Sequence, residues 1–327
     1  MITTSRFSLI AAGVALACGL GSTAARADAV AQAILDVTNF HFALGNGSNV
    51  RAADGSLAPR LNLATLKGTT TADATVSLNG ANAAGSDSQN DPLAIAGASA
   101  TTSLGNAGSY VPGAPLAGAP VATYGASTAD QFGNSLFGVS DALTDGVVSL
   151  KPAGNGSTQS NVNFNAEFTI TVQDGTSIEI AFDAESYLRA YLSASGIGSP
   201  TARASTTWSI TITSVATNDD VFAWVPDGLG GNGGAGSAIF GGVEYYDPFS
   251  LNQNATALSP ASSKVRTNAK QAFQAETNAL VGGTYTVVLS QTAVSDAFLK
   301  LPEPASLGLL GAALFGAGVA SRRRSKK

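Results

Sequence analysis

Histidine and cysteine are almost missing from this chain: its 327 residues contain one of each, His41 and Cys18. A Ser-His-Asp triad would have to use His41, and a zinc ion would find at most that one nitrogen ligand. His41 falls in an alternating stretch among ordinary neighbours and reads as a structural surface residue. The sequence has no Gly-x-Ser-x-Gly elbow, no His-Glu-x-x-His pair and no Gly-x-x-x-x-Gly-Lys-Ser/Thr phosphate loop. Nor does it repeat with a fixed period. Charge is scarce as well, at 12% of residues, and it is lopsided. All 22 acidic residues lie between Asp28 and Glu303, where only ten of the 17 Lys and Arg fall, so this body carries a net charge near −12. Without a basic cluster it has no means of neutralising phosphates, which excludes nucleic acid as a partner. Such acidity favours solubility outside the cell.

The two ends differ from the body. Residues 1–6 carry one positive charge, residues 7–20 are apolar, and Ala25-Arg26-Ala27 offers a small-x-small cleavage site before Asp28. That is the pattern of a secretory signal peptide, residues 1–27, cut by signal peptidase at Ala25, Ala27 and Asp28. Cys18 lies inside it, so the mature protein has neither disulfides nor thiol chemistry, although its compartment would allow disulfides. At the other end, Leu301-Pro302-Glu303-Pro304 leads into the apolar run 305–320, and the chain closes with Arg322-Arg323-Arg324-Ser325-Lys326-Lys327. Sixteen residues make a helix of roughly 24 Å, shorter than the roughly 30 Å hydrocarbon core. Gly308, Gly311, Gly316 and Gly318 lower its helicity further. Such a segment suits a transient anchor, with the basic cluster on the cytoplasmic side and the body outside. Pro302 and Pro304 keep the junction extended and open to a protease.

A Pro-Glu-Pro motif, a short apolar helix and a terminal arginine cluster, in that order, resemble the PEP-CTERM sorting signal of exported proteins in Gram-negative bacteria. The match covers residues 301–327. It implies export by the Sec pathway, a brief stay in the inner membrane, and cutting near Pro302, Glu303 and Pro304 by an exosortase, with Arg322, Arg323 and Arg324 as the retaining cluster. It further implies delivery to the cell surface or to an exopolysaccharide-rich biofilm matrix. The protein is then the substrate of its processing enzymes, and no catalytic residue carries over.

The body, residues 28–300, reads as one all-β unit. In 161–225 the alternation is clearest: Phe164, Ala166, Phe168, Ile170 and Val172 share one face, and Ile178, Ile180 and Phe182 resume it. Gln173-Asp174-Gly175 between them is a hairpin signal. Thr206, Trp208, Ile210 and Ile212 alternate likewise, and Asn218-Asp219-Asp220 turns into a further strand. Phe40 and Phe42 mark an opening strand, Val76 and Leu78 another, and 284–292 a late one. Residues 259–280 fit helix or strand, and the all-β context favours strand. Stretches around 80–130 and 228–242, rich in Gly, Ala, Ser and Asn, have little to bury and read as long flexible loops. The expected architecture is an antiparallel β-sandwich, with a jelly-roll-like form open to it, since short strands with turn residues between them allow either.

The chemistry that remains is sparse. Paired carboxylates for glycoside cleavage could come from Glu167, Glu179, Asp183 and Glu185, but the sequence places no two of them at working separation. Asn218, Asp219, Asp220, Asp227, Asp247 and Asn252 are loop oxygens of the type Ca²⁺ prefers, without the spacing of a calcium loop. Beyond these no cofactor is implied. Trp224 and the Tyr245-Tyr246 pair lie beside glycine-rich runs and are expected as exposed aromatics able to stack on sugar rings. Three readings of the body follow: a non-enzymatic structural component of the surface or matrix; a carbohydrate-binding module for the host exopolysaccharide; and, more remotely, a carboxylate-dependent glycoside-active enzyme, which needs a cleft with two facing carboxylates.

Overall fold

The computed structural model describes residues 27–44, 48–49, 64–90, 98–105, 124–134, 139–150, 154–193, 200–229, 239–259 and 262–301. Within these, the chain is all β: β1 (Ala27–Leu44), β2 (Ser48–Asn49), β3 (Ala64–Leu78), β4 (Ala81–Gln89), β5 (Ser99–Gly105), β6 (Tyr124–Asn134), β7 (Val139–Leu150), β8 (Gly154–Val172), β9 (Ile178–Leu192), β10 (Thr201–Ser214), β11 (Asp220–Trp224), β12 (Ile239–Phe240), β13 (Gly242–Tyr246), β14 (Gln253–Ala257), β15 (Ser263–Thr277) and β16 (Gly283–Leu301). They form two eight-stranded sheets. One runs β13-β15-β9-β1-β7-β6-β5 with β2 on β1, the other β12-β11-β10-β16-β8-β3-β4 with β14 on β10. Every pairing is antiparallel.

Period-2 patterning builds the core where the sequence suggests it. On β8, Phe164, Ala166, Phe168, Ile170 and Val172 are buried. They meet Ile178, Ile180 and Phe182 of β9, Trp208, Ile210 and Ile212 of β10, and Val287 and Leu289 of β16 in one aromatic-rich cluster. Phe182 lies at its centre, stacked on Phe273 at 5.0 Å and against Trp208 at 4.5 Å. The other half of the interior is alanine-rich, with Ala29, Ala31, Ala72, Ala74, Ala190 and Ala293 among its members. There the sheets approach closely. A Cβ on Gly146 would meet Thr158 Oγ1 at 2.5 Å, and one on Gly156 would meet Val148 Cγ1 at 2.6 Å. A polar relay crosses this interior: Gln131 donates to Ser140 Oγ at 2.7 Å, Ser140 to Gln291 Oε1 at 2.7 Å, and Gln291 to the Leu35 carbonyl at 2.9 Å.

Two expectations change, and the opening strand carries a bulge. The Asp174-Gly175 step is not a hairpin: β8 and β9 lie in different sheets, so it arches between them. Both strands present their apolar faces to one core, an arrangement that alternation alone does not distinguish from a hairpin. The stretch around 80–130 contains β4, β5 and the start of β6, because small residues pack here by close backbone approach and do not need bulk. Finally, β1 does not keep one phase. Leu35 and Val37 point inward, Asn39 adopts a positive φ of 56°, and the resulting bulge re-phases the strand so that Phe40 is inward. Residues 91–97, 106–123 and 230–238 of the glycine-rich stretches, and the terminal segments 1–26 and 302–327, lie outside the described residues.

Candidate functional site

β11 and β14 pair with successive parts of the same edge of β10. Between them the chain makes an excursion, residues 225–252, that crosses to the first sheet and adds β13 beside β15. The register of that pair slips between Glu244 and Tyr246. The bulge breaks the alternation: Glu244 is turned inward while Tyr245 and Tyr246 are both exposed, at 46% and 60%. The chain then closes on itself. The Ser250 hydroxyl and the Leu251 amide both donate to the Pro226 carbonyl, at 3.2 Å each. Asn252 grips the backbone of Trp208, accepting from its N–H and donating to its carbonyl, both at 3.1 Å.

This closure brings three carboxylates together. One carboxylate oxygen from each of Asp227, Glu244 and Asp247 lies within 4.8 Å of the other two. Glu244 and Asp247 are buried, each 2% exposed. Glu244 Oε1 accepts the indole N–H of Trp224 at 2.5 Å. Asp247 Oδ2 accepts the backbone N–H of Asp227 at 2.7 Å and of Gly228 at 2.6 Å. Asp227 Oδ1 accepts the Leu229 N–H at 2.9 Å. Burial pushes the Asp247 carboxyl up to about 7; the Gly228 and Asp227 amides pull the other way, and the Glu244 and Asp227 charges add to the rise. On the outer side, Tyr245, Tyr246, Asp247, Pro248, Gln271 and Ala272 line an open groove of about 450 Å³. The Tyr245 hydroxyl donates to Glu276 Oε2 at 2.9 Å, which fixes its ring; that bond raises the phenol's pKa.

The residues singled out by sequence distribute unevenly. Trp224 is a correction: it is fully buried, because it shares the inward face of β11 with Phe222, and no ligand reaches it. Tyr245 and Tyr246 are exposed as expected. Asp219 stands in the β10–β11 turn and Asp220 opens β11, both outside the triad, with Asp220 accepting from Thr213 at 2.8 Å. Asp227 and Asp247 do meet, and Glu244, which the sequence did not mark, completes their set. Glu167 lies on β8, facing Lys67 at 3.8 Å, while Glu179, Asp183 and Glu185 lie on β9 in the other sheet. Glu179 accepts from Gln274 at 2.6 Å, and Asp183 from Asn39 at 2.6 Å. Glu185 instead joins a row the sequence did not reveal, opposite Asp36, which is itself opposite Asp141. His41 is exposed, with Nδ1 held 2.8 Å from the Asn39 carbonyl. Ala27 and Asp28 open β1, whereas Ala25, Pro302, Glu303, Pro304, Arg322, Arg323 and Arg324 lie outside the described residues.

No protein-family model, curated protein or solved structure matches this chain.

Proposed function

We propose that this chain is an exported, non-enzymatic protein of the cell surface or extracellular matrix, anchored briefly in the inner membrane and released by an exosortase-type cut. One observation carries the reading. The last described strand, β16, runs between β10 and β8 and is described as far as Leu301, the first residue of Leu301-Pro302-Glu303-Pro304. The described body therefore reaches the first residue of the motif, and Pro302 has no N–H to give to a ladder. A protease acting at Pro302-Glu303-Pro304 would separate the apolar run 305–320 from the body. Signal peptidase and the exosortase are the processing partners, and the acidic, weakly charged body suits a polysaccharide-rich exterior.

Glu303→Ala in the native host, followed by immunoblotting of membrane and medium fractions, tests this. The variant should accumulate at full length in the membrane; release at the wild-type rate would refute the sorting reading. A second reading, carbohydrate binding, is favoured by the exposed Tyr245-Tyr246 pair over a groove whose lining includes the amide side chain of Gln271.

A further inference from the structure

We propose that Asp227, Glu244 and Asp247 hold a divalent cation of the calcium type. Their three carboxylate oxygens, all within 4.8 Å of one another, can share one ion, since Ca–O bonds of about 2.3–2.6 Å allow ligand atoms on opposite sides to stand roughly 5 Å apart. A second observation comes from Asp247 alone. Its side chain is 2% exposed, and although Oδ2 accepts two backbone amides, Oδ1 has no hydrogen-bond partner among the described residues. That oxygen is one carboxyl width from Oδ2 and hence belongs to, or borders, the cluster. A buried carboxylate oxygen without a donor is costly, and a metal ion supplies what it lacks.

The donor set selects the ion. Three carboxylates with no imidazole or thiolate form a hard site, unsuited to zinc or copper. Asp227, bridged to Ser250 and partly exposed, leaves room for water ligands and for the irregular coordination that Ca²⁺ accepts and Mg²⁺ resists. The ion would tie the end of β11, the bulged strand β13 and the turn after it into one corner. It would thereby hold the excursion that presents Tyr245 and Tyr246. This proposal is independent of how the protein is sorted.

Trp224 provides the test, because its indole N–H sits on Glu244. The full chain, stripped with chelator, is titrated with Tb³⁺, a luminescent Ca²⁺ substitute, while Trp is excited. Saturable emission at one ion per chain, displaced by Ca²⁺, is expected. So is a rise in Tm of roughly 5–10 °C in Ca²⁺ at a hundredfold excess over Kd. Asp247→Asn and Asp227→Asn should each weaken binding at least roughly tenfold, the loss typical of even an outer-shell partner. Asp219→Asn should leave it intact. Asp227→Asn, at the more exposed position, keeps the test valid if Asp247→Asn does not fold, and its Tm in chelator should match that of the wild type. Absence of saturable emission and of a Ca²⁺-dependent Tm shift would overturn the proposal, as would wild-type affinity in both triad variants.

Discussion

Replacing Asp36 by asparagine should stabilise this protein above neutral pH. Asp36 lies on β1 directly opposite Asp141 of β7 on one side and Glu185 of β9 on the other. Like charges facing across a sheet destabilise it. Burial, joined by the charge of Asp141 and the proximity of Glu185, pushes Asp36 up from 3.8 to about 7. The sign follows from proton binding. Below about pH 4 the carboxyl is protonated folded and unfolded; between 4 and 7 only the folded state keeps the proton; above 7 that stabilisation is gone. Taken whole, the displacement is worth about 4 kcal/mol, and partial exposure reduces this to ~1–2 kcal/mol. The introduced amide would stand in for the protonated acid at every pH, able to donate to both neighbours. In a body of about 270 residues, Asp36→Asn should therefore raise Tm by roughly 3–6 °C at pH 8, with the gain shrinking towards pH 4. Thermal melts by circular dichroism from pH 4 to 8 measure this. Because Asp247 is also raised to about 7 in both proteins, the difference between them is what reads Asp36 together with its partner Asp141. A variant no more stable than wild type at pH 8, or a gap that does not change with pH, would refute the reasoning.

The two tryptophans should respond differently to the same truncation. Trp224→Phe removes the donor to buried Glu244, whereas Trp208 Nε1 has no partner among the described residues. Trp224→Phe should then cost ~1–3 kcal/mol more than Trp208→Phe in urea unfolding, and equal losses would count against the Trp224–Glu244 bond. If the groove binds sugar, Tyr246→Ala should reduce co-sedimentation of the full chain with the host exopolysaccharide by roughly tenfold, given ~1.5 kcal/mol per stacking aromatic. Binding by wild type that survives Tyr246→Ala and Tyr245→Ala would place any sugar contact elsewhere.

How much of this could be read from sequence depended on range. The face each residue takes along a strand is local, so Phe164–Val172, Ile178–Phe182 and Thr206–Ile212 were legible as core, as was the buried position of Trp208. Which sheet a strand joins is not local. That is why Asp174-Gly175 reads as a hairpin yet makes an arch. The same limit hid the Asp36, Asp141 and Glu185 row, which exists only through the register of three strands. Asp227 and Asp247 were visible as loop oxygens, but Glu244 sits in a strand, and only its pairing opposite the buried Ala275 of β15 turns it inward toward them. Trp224 was misplaced for a simpler reason: the glycines after it outweighed the inward phase that it shares with Phe222. The glycine- and alanine-rich tracts hold the more general lesson. Counting large apolar residues assumes that side chains of both sheets fill the interior, whereas at Gly146 and Gly156 there is no room even for a Cβ, because Thr158 and Val148 of the facing sheet occupy that space. A chain this poor in aromatics and charge can still order long strands, provided its small residues coincide across the two sheets, and that coincidence is a property of the fold rather than of any one segment.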